Sequence, residues 1–359
     1  MKLSHKIFKT IVTLLFFTID SLTLLFSKFF FKEHKINTTL FINMGALGDS
    51  FIFFNSILQF NKKHEVHGLI NSNAKLLFSQ YEDLYFESVN SKKYVTNIFY
   101  RIRVNLKLSK YRFNNIVNVR GSRNGIYEDS LIRFIKGRKI ALKSDFGSNS
   151  FISLKLFDFF VYNRIIKVDL KKNIHEFERM NIIFNDILEE KFSIRILDLS
   201  FYLRSMIDKK LLTENYFVLN VGAGKNFRKW DINKFIQLGN ALGKKLGIKA
   251  VYCGLNQDRK NIENAKINLS ENSLNLCGET SIENIVNIIK YANFSVSNDS
   301  ASAHISILLN KNTVCIKSLF DEKRFLPYPT HLMNENIKII SKKNIDDINV
   351  KQVLNLIDF

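Results

Sequence analysis

Three short stretches of this sequence join small residues to charged ones, and each directly follows a β-rich apolar run. The first is Asn43-Met44-Gly45-Ala46-Leu47-Gly48-Asp49. Its two glycines allow a sharp turn beneath a ligand, and Asp49 stands where the next helix begins, as a ligand contact or as a cap. The glycine pattern GxGxxG is absent, which excludes a nicotinamide fingerprint.

The second stretch is Gly222-Ala223-Gly224-Lys225-Asn226-Phe227-Arg228-Lys229-Trp230-Asp231. Small residues after a strand expose backbone N–H groups, and three cations precede a helix N-terminus, which together suit a diphosphate. It is not a P-loop, because Asn226 follows the lysine and no glycine lies five residues before Gly224. Trp230, the only tryptophan in the chain, reads either as a core anchor at the helix start or as a ligand contact. The third stretch is Ser297-Asn298-Asp299-Ser300-Ala301-Ser302-Ala303-His304. Alone, Asp299 would be a cap and His304 a packed residue. Alongside the second turn they read as part of one anion site at a helix start.

The elements that position these turns alternate strand and helix, the pattern of βα units on a parallel sheet. The first series has a strand at 38–43, a helix from Ser50 to Lys62, strands at 65–70 and 115–119, and a helix over 174–190. Residues 191–214 are more charged and less periodic and are expected to cross between lobes. A second series has strands at 216–221, 248–254, 294–298 and 312–317, with helices at 231–247, 281–292 and 301–310. Gly247 ends the first of these helices, and Ser281 caps the second. Two open α/β sheets in succession imply a cleft lined by loops at the carboxyl ends of strands.

At 359 residues, with 46% hydrophobic and 24% charged, the chain can bury two cores and is not a disordered tail. Its formal charge of +20 attracts phosphorylated molecules, anionic lipid or nucleic acid. No basic–aromatic platform, zinc finger or helix-turn-helix spacing appears, so nucleic acid is not expected as a partner. Cys253, Cys277 and Cys315 are widely spaced and form no CxxC, so neither a disulfide framework nor a metal site is expected. Residues 7–31 are apolar but contain Lys9, Asp20 and Lys28, with Lys2, Lys6, Lys32 and Lys35 flanking them. These charges fit a helix lying in a membrane interface better than a spanning one, and a helix buried on the protein is the alternative.

In the order and spacing of four elements the sequence resembles glycosyltransferase family 9, the lipopolysaccharide heptosyltransferase family, from about residue 38 to 318. These elements are MGALGD at 44–49, His175-Glu176-Phe177-Glu178-Arg179-Met180-Asn181, GAGKNFRKW at 222–230, and Asp299-Ser300 through His304 preceded by NLCGETSIEN at 275–284. The resemblance implies a GT-B fold with two Rossmann-like lobes facing a central cleft, and an inverting, metal-independent transfer from a nucleotide-sugar donor without a cofactor. It implies Asp49 as the base that deprotonates the acceptor hydroxyl, with Gly45, Gly48 and Arg120 on the acceptor side. On the donor side it implies Lys229 and the backbone of Gly222, Ala223 and Gly224 at the diphosphate. Asp299, Ser300, Ala301 and His304 form the late donor motif, and Asp258 matches a ribose-binding acid. Ala301 stands where the family often has glycine, and Ala223 and Gly224 stand where it often has hydroxyl residues. The donor sugar therefore stays open between heptose, from ADP-heptose, and a similar sugar.

The expected organisation is an apolar basic segment at 1–36, an acceptor lobe at 37–195 and a donor lobe at 196–359. The expected partners are the nucleotide sugar, a lipid-linked glycan of the lipopolysaccharide core or a related surface glycan, and an anionic membrane surface. That places the chain in the cytoplasm, peripheral to the inner face of the cytoplasmic membrane. A non-catalytic nucleotide- or glycan-binding protein of the same fold is the alternative, and oligomeric state is not legible.

Overall fold

A computed structural model describes residues 2–30, 32–79, 81, 83–144, 151–169, 174–197, 215–320, 325–333 and 335–357. Two compact units divide the chain, Met1–Ile194 and Arg195–Phe359. The stretch expected to cross between them, 191–214, lies outside the described residues from 198 onward.

The first unit runs α1 (Lys2–Phe30), β1 (His34–Asn43), α2 (Leu47–Asn61), β2 (Val66–Asn71), α3 (Lys75–Phe78), β3 (Tyr85–Val89) and α4 (Ser91–Thr96). It continues with α5 (Ile98–Leu108), β4 (Tyr111–Asn118), α6 (Glu128–Phe134), β5 (Lys136–Leu142), α7 (Phe151–Phe160), β6 (Arg164–Ile166) and α8 (Glu176–Leu188). Its six strands are parallel in the order β3-β2-β1-β4-β5-β6, so the direction of winding reverses between β1 and β4. Strand β1 is polar and exposed where it begins and buried from Leu40 to Asn43, because only its carboxyl half is covered on both faces. Aromatic residues fill the layer between α2, α8 and the sheet. Phe41 meets Phe60 and Phe184 edge-on with ring centres at 5.1 and 5.6 Å, and Phe54 meets Phe78 at 5.0 Å. Helix α2 begins at Leu47, three residues ahead of the predicted start, which puts Gly48 and Asp49 in its first turn.

The second unit runs β7 (Tyr216–Asn220), α9 (Ile232–Leu246), β8 (Lys249–Cys253), α10 (Asn256–Glu263), β9 (Ser273–Asn275) and α11 (Ile282–Tyr291). It ends with β10 (Ser295–Asn298), α12 (Ala301–Leu308), β11 (Thr313–Ser318), β12 (Ile337–Lys342) and α13 (Val350–Leu354). These six strands are also parallel, in the order β12-β11-β10-β7-β8-β9, and reverse direction between β10 and β7. All of β7 and β11 is buried, as central parallel strands require. Asp231 caps the start of α9, its carboxylate accepting from the Asn233 and Lys234 N–H groups, and Gly247, whose φ of 66° is left-handed, caps its end. The three cysteines are buried.

Candidate functional site

In a doubly wound sheet, the crevice for a ligand opens at the carboxyl ends of the strands where winding reverses. In the first unit these are the ends of β1 and β4, and the turn of residues 43–49 leaves β1 there. Asn43 shapes that turn by accepting from the Gly45 N–H at 2.9 Å. Asp49 is the third residue of α2, and its Oδ2 accepts from the Ala46 N–H at 3.2 Å. The same oxygen accepts from Arg120 Nη1 at 2.9 Å, and Arg120 lies just beyond β4. The two side chains are only about one-fifth exposed, so the pair is sheltered but open to a ligand. Among the described residues Asp49 Oδ1 takes no hydrogen bond. A Cβ on Gly45 would lie 2.5 Å from both Arg120 Nη1 and Asp49 Oδ2, so only glycine lets this pair close.

Arg120 also reaches back to buried Glu128, the first residue of α6, with Nε 3.4 Å from Oε1. Burial raises the Glu128 pKa above the ordinary carboxylate value, while the Arg120 charge opposes that rise. Behind it, Asn118 accepts from the Arg120 N–H at 3.1 Å and donates to Tyr162 and Asp129. The His175–Asn181 motif packs behind this region. His175 caps α8 by accepting from the Phe177 N–H, and Arg179 packs against Gly121, next to Arg120.

In the second unit the reversal falls at the ends of β7 and β10, where the second and third turns emerge side by side. Asn298 ties them together, donating to the Val221 carbonyl at 2.8 Å and accepting from the Trp230 N–H at 3.0 Å. Trp230 is buried, donates through Nε1 to the Ile348 carbonyl at 2.8 Å, and meets the Phe235 ring edge-on. It is a core anchor. Lys229 Nζ donates to Asp258 Oδ1 at 2.8 Å, and Asp258 Oδ2 accepts from the Leu255 N–H at 2.9 Å. Asp258 is thus buried in a framework role, capping α10 and aiming Lys229. A Cβ on Gly222 would stand 2.8 Å from Asp258 Oδ2, whereas one on Gly224 would meet nothing within 4 Å. Gly222 is required by packing; Ala223 and Gly224 leave their backbone open to a ligand.

Asp299 is buried, and its Oδ2 accepts from Lys317 Nζ at 3.1 Å. Its Oδ1, the Ser300 Oγ and both side-chain polar atoms of Asn220 are buried with no hydrogen-bond partner among the described residues. Unsatisfied buried polar groups are rare and expensive, and these four atoms lie at the ends of β7 and β10. Ser300 precedes α12, and Ala301 and Ser302 open it, where unpaired N–H groups point along the helix axis. His304 packs on Tyr328. Its Nδ1 is 2.9 Å from the Tyr328 hydroxyl, and the two rings stack at 5.7 Å. Burial and then the Asp299 charge push the Tyr328 pKa well above its ordinary value.

Lys317 and Asn220 are site residues that the sequence did not single out. Lys317 left one signal, a lysine ending an otherwise apolar central strand. Asn220 left none. No group of three His, Cys, Asp or Glu suited to a metal occurs among the described residues.

Residues 168–352, just over half of the chain, match the model of glycosyltransferase family 9 (heptosyltransferase). The chain is similar to lipopolysaccharide heptosyltransferase 1 of Campylobacter coli, with 21% identity over 330 residues covering 85% of this chain and 91% of that protein. Among solved structures it resembles the glycosyl transferase family 9 protein from Veillonella parvula DSM 2008, with a TM-score of 0.68 and 14% identity over 90% of this chain and 98% of that one. It resembles equally E. coli heptosyltransferase WaaC with ADP, with a TM-score of 0.68 and 14% identity over 90% and 99% of the two chains. At such identities the structural likeness speaks for the fold, two Rossmann-like lobes of the GT-B class.

Proposed function

The chain belongs to glycosyltransferase family 9 and is a glycosyltransferase, and from that premise we propose an inverting, metal-independent transfer to a lipopolysaccharide-core or related surface-glycan acceptor. The sugar is heptose or a close relative, carried on a nucleoside diphosphate. The observation that carries the reading is the cluster of buried, unpartnered polar atoms on Asn220, Asp299 and Ser300 beside the open Ala223–Gly224 backbone. A diphosphate with its nucleoside supplies the polar groups that such a cluster is missing.

In this mechanism Asp49 Oδ1 accepts the proton of the acceptor hydroxyl while Arg120 holds Oδ2 and so fixes the carboxylate. The acceptor oxygen bonds to the anomeric carbon as the bond to the diphosphate oxygen breaks, in one in-line step. The transition state leaves positive charge on the sugar and negative charge on the departing diphosphate. Backbone N–H groups of Gly222–Gly224 and of Ser300–Ala303 meet that negative charge, and so does Lys229, which keeps two N–H donors beyond the one given to Asp258. Lys317 reaches the same turn through Asp299. A lipid-linked acceptor places the reaction at the cytoplasmic face of the membrane.

Two measurements test this. Asp49→Asn keeps the shape of the side chain but removes its basicity, so transfer should fall about 10²- to 10⁴-fold. Stabilisation by the nucleotide should survive in that variant, and undiminished turnover would reject Asp49 as the base. A thermal-shift panel of ADP-, UDP-, GDP- and CDP-sugars names the donor, since a ligand that binds only the native state raises its stability.

A further inference from the structure

Helix α1 packs Phe17 and Leu24 on the first unit's core but buries polar residues beside them. Its polar residues Thr13, Asp20, Thr23 and Ser27 are buried on one face, against the first unit. The Asp20 carboxylate accepts from Arg101 Nε and Nη2 at 2.8 and 2.6 Å and from Asn105 Nδ2 at 2.9 Å. Arg101 lies over the rings of Phe16 and Tyr94, and Arg133 donates to the Phe17 carbonyl and the Ser21 hydroxyl. The opposite face carries Ile11, Leu14, Leu15, Leu22, Leu25 and Phe29, all exposed. Beside it on α7, Phe159 and Phe160 are 81% and 66% exposed, and the Phe160 ring meets Phe17 of α1 at 6.3 Å.

A helix at a water-facing surface shows the reverse arrangement, with its apolar stripe inward. A buried charge on the inner face with a row of large apolar side chains on the outer one fits a helix whose outer solvent is hydrocarbon. From Ile11 to Phe29 the apolar face is about 27 Å long at the helical rise, far larger than a scattered exposed leucine. The segment Thr10–Phe29 has a mean hydropathy of 1.8, long and apolar enough to cross a bilayer. Crossing is opposed by Asp20 at its midpoint, which is fixed to α5 in a fully buried ion pair. Helix α1 therefore lies flat, as part of the first unit's surface.

Charge decides the occupant. A net +20 repels a second copy and favours anionic headgroups. Exposed Lys28, Lys32 and Lys35 stand at one end of the stripe, where long cationic side chains reach headgroups while their stems stay in the apolar layer. We propose that the outer face of α1, with Phe159 and Phe160 of α7, seats this protein in the acyl boundary of an anionic phospholipid bilayer. The helix lies in the membrane plane, held to the first unit by Asp20 and Arg101. This deepens the membrane placement proposed above and rests on it for its purpose, but vesicle binding is measured without donor or acceptor.

The full chain should float with phosphatidylglycerol–phosphatidylethanolamine vesicles and much less with phosphatidylcholine alone. Leu15→Gln/Leu22→Gln/Phe159→Gln should lose on the order of a hundredfold in partitioning, with its melting temperature and its stabilisation by whichever nucleotide sugar the panel selects unchanged. Flotation of this variant like the parent overturns the proposal. So does a parent that is dimeric by light scattering while the variant is monomeric, since a second copy would then own the face. In a Leu22→Cys variant bearing a nitroxide, vesicles should raise collisions with oxygen and lower those with an aqueous nickel reagent. The opposite response overturns the proposal. Transfer to a soluble acceptor without vesicles reads catalysis alone, so the two proposals fail separately.

Discussion

Asp49, Arg120 and Glu128 form a chain in which one guanidinium serves two carboxylates, one partly open and one buried. Burial raises the pKa of Glu128. Its folded pKa lies above the ordinary value of about 4.5, so between that and the raised value the native state keeps a proton that the unfolded state has lost. Stability contributed by this group therefore falls as pH rises through the window. Glu128→Gln removes that contribution, and its melting temperature should decline less steeply than the parent's from about pH 4.5 upward. The slope will not vanish, because burial also raises the neighbouring Asp129. In the same variant the Arg120–Asp49 pair is left in place, so transfer should persist. A steeper decline, or loss of transfer equal to that of Asp49→Asn, would show that Glu128 is charged and essential to the geometry.

Among the elements, α1 has the most to lose from one substitution. Removing one partner of a buried ion pair strands the other, which costs about 3–5 kcal/mol. Asp20→Ala strands Arg101, and the melting temperature of the first unit should fall on the order of 10 °C. Asp20→Leu with Arg101→Met replaces both charges by apolar volume and should recover most of that loss. An unchanged melting temperature in Asp20→Ala would mean that α1 is not docked. Elements like these were legible from the sequence to different depths. Central strands such as β7 and β11 announce themselves because both faces are buried, and α9 because its cap, apolar stripe and terminal glycine agree. Strands β6 and β9 have three residues each, and the burial of β3 is interrupted by exposed positions, so neither pattern accumulates enough residues to read. The three turns were visible as local strings. Their pairings were not: Arg120 reaches Asp49 across 71 residues, and only the family resemblance grouped the two, while Asn298 reaches Val221 across 77. Pairing at such separations is set by strand order, which no local string encodes.

At the scale of the molecule, each unit has its own buried core, one around Phe217, Leu219, Tyr252 and Val296, the other around Ile42, Ile116, Leu131 and Phe134. The polar groups lacking partners at the β7 and β10 ends belong to the second unit alone. A nucleotide that completes them stabilises the unit whose native state it binds, and the gain follows its concentration over its dissociation constant. At a hundred times that constant, globally protected amides of β7, β10 and β11 should exchange about a hundredfold more slowly, as about 2.7 kcal/mol of added stability requires. The core amides of β1 and β4 should keep their rates, since no group there awaits a diphosphate in the proposed division of labour. Equal slowing in both units would mean that the nucleotide binds them as one cooperative body. Slowing confined to β1 and β4 would move the donor to the unit that holds Asp49.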